Sequence, residues 1–303
     1  RLNGSSYLIA NPGTIVEKVE VSGVDNQLRG QPLFNNPINF LSNTSTLSIA
    51  LQSSLNQNIE LNGGSIYLQN DLVLNDGVCF SNTGTIHVNG RRIVLGQDYS
   101  QSWTSELYWE DAQDIVLSSS LTLYETWRFT GTNIINGNGS MLLFTGTGRL
   151  LLEDGAVLLL TDIMLADVGN FSLEMLGDNA QIRLVNTTIQ LAETCTTDVG
   201  SIYVEGESVF ILGDKFWTFN NNASLTVDGV SLWVDDLSFA DTSDSGKLCL
   251  PYPLFAEDDE TNLALNLASG NLALVNNGIL RRVNSAEGTV AISATTIVIE
   301  EGD

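Results

Sequence analysis

The chain has 303 residues, of which 43% are hydrophobic and only 16% charged. Its 36 acidic and 12 basic residues leave a formal charge of −24, and without clustered Lys and Arg it is not expected to track nucleic acid or anionic membrane surfaces. A single histidine, His87, rules out a His-rich metal site within the chain, and Cys79, Cys195 and Cys249 lack the spacing of a zinc knuckle or a dense disulfide framework.

At most one disulfide bridge can form among three cysteines. The longest strongly apolar stretch, Ala156 to Leu160, falls far short of the roughly 18 residues of a membrane span, so no membrane insertion is expected. Few lysines and prolines among abundant Asn, Gly, Ser and Thr fit an exported protein, extracellular or at a cell surface. The opening Arg1 in place of Met is in keeping with a leader already removed.

From the first residues onward, apolar side chains alternate over short runs that end at Gly, Asn or Asp. Ile15-Val16-Glu17-Lys18-Val19-Glu20-Val21 is such a run, and so are Ile66-Tyr67-Leu68 and Ile86-His87-Val88. Period-2 alternation bounded by turn formers predicts short, half-buried strands. One weak apolar spacing, between about Leu47 and Ile59, is the only candidate for a short helix. Residues 1–61 are therefore expected to hold lead-in strands with that helix, and residues 62–303 the main body.

Six ten-residue blocks overlay without gaps: Asn62–Asp71, Asn82–Arg91, Asp154–Ile163, Asp178–Thr187, Asn221–Val230 and Ala268–Asn277. Their fifth positions are Ile66, Ile86, Leu158, Ile182, Leu225 and Leu272, their seventh are all apolar, and their ninth is Asn, Gly or Asp. The starts are separated by near multiples of 20 to 24 residues. A strand–turn–strand–turn unit of that length predicts an all-β fold, one coil of a parallel β-solenoid per unit, with coils stacked about 4.8 Å apart. The residue that turns the chain is expected at positive φ, where Gly is free and Asn is tolerated.

On these blocks, and on an opening stretch Tyr7-Leu8-Ile9-Ala10-Asn11-Pro12-Gly13-Thr14 that is similar to the lead-in of a first coil, the chain resembles the right-handed parallel β-helix, or pectate-lyase-like, superfamily. That resemblance is architectural. It is nearer to secreted or surface β-solenoid repeat proteins of bacteria than to the enzymes of the superfamily. Residues 96–130 are rich in aromatics (Tyr99, Trp103, Tyr108, Trp109, Tyr124, Trp127) and are expected to form an excursion or a seam.

Chemistry-bearing motifs are sparse. Polysaccharide hydrolases of this superfamily carry a Gly-His-Gly and an Arg-x-Lys beside paired carboxylates; here the Asp pairs Asp235-Asp236 and Asp258-Asp259 have neither. His87 lies opposite its apolar neighbours and is expected to face solvent. The doublets Arg91-Arg92 and Arg281-Arg282 read as solvated rims. The acidic stretches Asp241–Gly246 and Glu257–Glu260 read as surface loops without a calcium signature. No catalytic, cofactor-binding or metal-binding residue is assigned, and no cofactor is expected.

The ends carry more information. Neither the strand-like run at 15–21 nor the alternating segment 288–300 reads as a cap, although a solenoid must cap or pair its first and last coils. Ile15, Val19 and Val21 at one end, with Val290, Ile292, Ile297 and Ile299 at the other, are the expected assembly edges. An end-to-end contact that does not close makes a filament, and the negative charge keeps such fibres from bundling at low salt. The expected function is a non-enzymatic, extracellular structural subunit whose partner is another copy of itself, joined head to tail or by a lent strand. The alternatives are a glycan-binding adhesin or autotransporter-like passenger using Trp103 or Trp109, and a polysaccharide lyase or hydrolase.

Overall fold

The computed structural model describes residues 1–99, 106–204, 208–211, 215–227, 232–234, 247–250, 265–267 and 271–274. Among them there is no helix, and the paired strands are parallel. The chain divides into two compact units, Arg1–Leu151 and Leu152–Asp303, and each is a parallel β-solenoid.

In the first unit each coil contributes one strand to each of several sheets. One sheet runs Leu2–Asn3, Val19–Ser22, Ile38–Phe40, Ile59–Glu60, Phe80–Ser81. A second runs Tyr7–Ala10, Asn26–Gly30, Thr46–Leu51, Ser65–Leu68, Gly84–His87, Glu106–Glu110, Thr126–Thr130. A third holds Leu72–Val73, Arg92–Leu95, Asp114–Leu117 and Thr132–Asn136. Ile66 pairs with Ile86 and Leu72 with Ile93, steps of 20 and 21 residues.

Because successive strands are in register, like side chains stack into columns. Leu47, Ile66, Ile86, Trp109 and Phe129 are register partners in turn, and all are fully buried. Burying each such side chain contributes on the order of 1.5–3 kcal/mol, which is how strands of only four to six residues hold their place. The turns stack too. Asn62 and Asn82 both sit at positive φ (47° and 63°), and their amides form a ladder: Asn62 Nδ2 donates to Asn39 Oδ1 at 2.9 Å and Asn82 Nδ2 to Asn62 Oδ1 at 2.6 Å.

The second unit repeats the plan. Val157–Thr161, Gln181–Val185, Cys195–Val204 and Phe216–Val227 stack in one sheet, so that Leu158, Ile182, Ile202 and Leu225 are successive partners. The turn residues Asp162 and Asn186 take φ of 49° and 51°, and Asn186 Nδ2 donates to Asp162 Oδ1 at 3.1 Å.

Several expectations need correction. No helix spans 47–59: Thr46–Leu51 is a strand whose Leu47, Ile49 and Leu51 are buried and whose other residues face outward, a period of 2 that the weaker helical spacing mimicked. Parallel pairing already begins at Leu2, so residues 2–61 are coils of the stack. Residues 106–130 are no excursion; Glu106–Glu110 and Thr126–Thr130 are ordinary rungs, reached by a coil with a step of 23 residues from Ile86 to Trp109. The sixth block is out of register: Leu272 pairs with Leu248, which pairs with Trp217 rather than Leu225. Positions 217 and 225 have the same parity, so a period-2 pattern fits either.

Candidate functional site

The first coil offers strands that pair on one side within this chain. Leu2–Asn3, Tyr7–Ala10 and Ile15–Val16 each begin a sheet. Gln27 N–H donates to the Ser6 carbonyl and Gln31 N–H to the Ala10 carbonyl. In a parallel ladder the groups of alternate residues face the same neighbour, so the backbone N–H and C=O of Tyr7 and Ile9 point to the outer edge. Their side chains stand on the outer face, 62% and 69% exposed, and Ile15 is 61% exposed beside its exposed register partner Leu33.

Of the expected assembly residues, Ile15 is exposed, in a strand with a single partner strand among the described residues. Val19 and Val21 are not edge residues: they are 2% and 0% exposed, and their strand pairs on both sides, with Leu2–Asn3 and Ile38–Phe40. The alternation that marked them as edge residues marks core residues equally well. Val290, Ile292, Ile297 and Ile299 lie outside the described residues, as do Trp103, both Asp pairs, both acidic loops and Arg281-Arg282.

The outer face of the second sheet carries a polar network. His87 is half-buried rather than freely solvated, because its register partners on either side cover it. The Tyr67 ring stacks on it with centroids 4.1 Å apart and planes 6° from parallel, and its Nδ1 is hydrogen-bonded to Glu110 Oε2. One row over, the Arg128 guanidinium lies 5.4 Å above the Tyr108 ring, and its Nη1 donates to Glu106 Oε1 at 3.1 Å. In-register stacking thus places ring on ring and cation on ring. Arg92 Nε reaches Asp114 Oδ2 at 3.4 Å, so half of the Arg91-Arg92 doublet does offset a carboxylate.

Inside, Trp109 and Trp127 are fully buried with ring centroids 5.3 Å apart, and Phe80 and Tyr99 meet them edge-on. Trp109 and Trp127 therefore fill the core and present no ring to a sugar. Glu125 is buried with them. Its Oε1 accepts a hydrogen bond from Trp127 Nε1 at 3.0 Å, while its Oε2 and Trp109 Nε1 are buried without partners among the described residues. Burial pushes the Glu125 carboxyl from 4.5 up to about 7, partly offset by the Trp127 hydrogen bond. Cys79 and Cys195 are free and buried; desolvation raises their thiols to about 11 and about 12, with a further contribution from Glu125 and Glu193 respectively.

Sequence reasoning missed Glu125, although Glu125 and Trp127 share parity in an alternating strand and a paired inward acid could have been read there. It also missed the Tyr67–His87–Glu110 row, which becomes visible only once the 20- and 23-residue steps are known. Among the described residues no three His, Cys, Asp or Glu side chains gather as metal ligands. No protein-family model, curated protein or solved structure matches the chain.

Proposed function

We propose that this protein is a non-enzymatic, extracellular β-solenoid subunit that builds a surface fibre or filament by pairing end to end with copies of itself. The observation that carries the reading is the make-up of the first coil. Among the described residues Tyr7–Ala10 has a partner strand on one side only, which leaves an outer row of backbone donors and acceptors, and its outward side chains are large and apolar instead of charged. Edge strands that avoid association carry Lys, Pro or an inward charge, and this strand has none of these. In-plane addition of a strand from another copy satisfies those groups as the next coil would, and a contact that repeats without closing gives a filament.

The test is sedimentation velocity and negative-stain microscopy of the full chain over a wide concentration range, with Ile9→Pro as the probe. Proline at position 9 removes an N–H that points away from Asn26–Gly30, so the internal pairing survives while the outer edge loses a donor. Filaments or concentration-dependent oligomers that Ile9→Pro weakens support the proposal. A wild-type chain that remains a monodisperse monomer, or assemblies indifferent to Ile9→Pro, overturn it.

A further inference from the structure

The outer face of the second sheet is dented where strand Thr46–Leu51 crosses it. The neighbouring strands carry long outward side chains, Arg29 on one side and Gln69 on the other, while the strand between contributes Ala50. The result is an open pocket of about 440 Å³ floored by Ala50 and Gly30 and extended by Gln31, Gln52 and Asn70, with Ile9 and Pro12 at one rim.

No Asp or Glu lines the pocket in a chain of net charge −24, and its one cation, Arg29, has no carboxylate partner among the described residues. The side-chain amides of Gln31, Gln52 and Gln69 make no hydrogen bond among the described residues, so each keeps a donor and an acceptor free. Ile9, 69% exposed, and the exposed Pro12 add an apolar patch beside the guanidinium.

We infer that this pocket binds an acidic, N-acetylated sugar. One unpaired guanidinium matches a singly charged carboxylate by paired N–H···O bonds, whereas a phosphate carries more charge than one cation neutralises. Amides that donate and accept match hydroxyl groups, which do the same. The Ile9–Pro12 rim suits an acetyl methyl. Edge pairing adds a strand in the plane of the sheet beside Ile9 and leaves Arg29, Ala50 and Gln69, on the strands behind it, open, so the charged part of the site stands independently of self-assembly.

The test is saturation-transfer NMR and calorimetric titration of the full chain with free N-acetylneuraminic acid, beside glucuronic acid and N-acetylglucosamine. The expected result is a dissociation constant near ~1 mM, a value normal for few contacts, with the strongest transfer to the acetyl methyl and weaker binding of both comparison sugars. Arg29→Gln should weaken binding about tenfold or more and abolish its salt dependence. Ala50→Leu should fill the floor and block it, and Arg91→Gln, outside the pocket, should leave it unchanged. Absence of transfer from N-acetylneuraminic acid, or Arg29→Gln and Ala50→Leu proteins that bind like the wild type while keeping its circular dichroism spectrum, would overturn the assignment. Equal binding of glucuronic acid would overturn the acetyl contact.

Discussion

Glu125 should make the first unit less stable as the pH rises, against the usual behaviour of a paired carboxylate. The residue is 3% exposed; Trp127 Nε1 donates to Oε1, backbone hydrogen bonds at Tyr124 and Glu125 also lower its pKa, and Oε2 has no partner among the described residues. With the folded value at about 7 and the ordinary value at 4.5, the folded chain holds a proton between those limits that the unfolded chain has released. The stability is complete below 4.5 and is lost as the pH rises toward 7, above which both states are ionised and the loss is constant. At about 1.36 kcal/mol per pH unit, the interval is worth roughly 3 kcal/mol. Glu125→Gln keeps the acceptor for Trp127 and removes the ionisation. Urea unfolding followed by tryptophan fluorescence at pH 4.5 and pH 8 should then show the variant gaining about 3 kcal/mol on the wild type between the two conditions. Comparing the two proteins cancels the other carboxylates, including Asp114, which burial also raises. A difference that stays constant across this range would refute the reasoning, because it would mean that water or a counter-charge reaches Oε2.

Three further outcomes follow from the packing. Gly30→Ala should destabilise the first coil by about 1–3 kcal/mol or more, since Gly30 has φ +96° and a Cβ there overlaps the Ala10 carbonyl oxygen; hydrogen exchange should speed up first in residues 7–10. Trp109→Ala should cost on the order of 3–5 kcal/mol in urea unfolding, because the ring is fully buried between Phe80 and Trp127, and a loss under 1 kcal/mol would contradict its place in the core. Cys79 and Cys195, buried and raised to about 11 and about 12, should resist alkylation at pH 8 in the native protein and react in denaturant, as mass spectrometry of labelled peptides can show.

The coil was legible because its determinants are local and repeat. The alternation in Asn62–Asp71 and Asn82–Arg91 fixes which residues face the core, and the fixed spacing places Ile66 against Ile86. The left-handed turns were legible at Gly90, Asp162 and Asn186 for the same reason. Register failed where parity was the only guide, at Trp217 and Leu225, and the edge failed at Val19 and Val21, since an alternating strand reads the same in the middle of a stack as at its start. The outer-face contacts were hidden more deeply. That Tyr67 covers His87, and that Ala50 lies below Arg29 and Gln69, depends on coil lengths of 19, 20, 21 and 23 residues, and an error of two residues in any of them replaces each neighbour.

In-register stacking has an electrostatic consequence for so acidic a chain. Identical positions in adjacent coils lie about 4.8 Å apart, where two like charges repel by about 1 kcal/mol even at the dielectric of water. The rows of the first unit avoid that juxtaposition. Glu20, Asn39, Glu60 and Ser81 are successive partners, so a neutral side chain separates each acid from the next. Glu110 lies between His87 and Thr130, Glu106 is opposite Thr126, and Asp114 is opposite Arg92. Lys18 Nζ, 2.6 Å from Glu20 Oε1, holds that carboxyl below its usual range by a hydrogen bond and by its charge. Two coil spacings exceed the Debye length of about 8 Å at physiological salt, so acids alternating with neutral residues add little repulsion as coils accumulate. The outer strand Tyr7–Ala10 continues the scheme, because Tyr-Leu-Ile-Ala presents no carboxylate to whatever strand pairs with it. That is the electrostatic condition under which an acidic solenoid can lengthen at this edge, and it supports assembly through the first coil despite the charge of the whole chain.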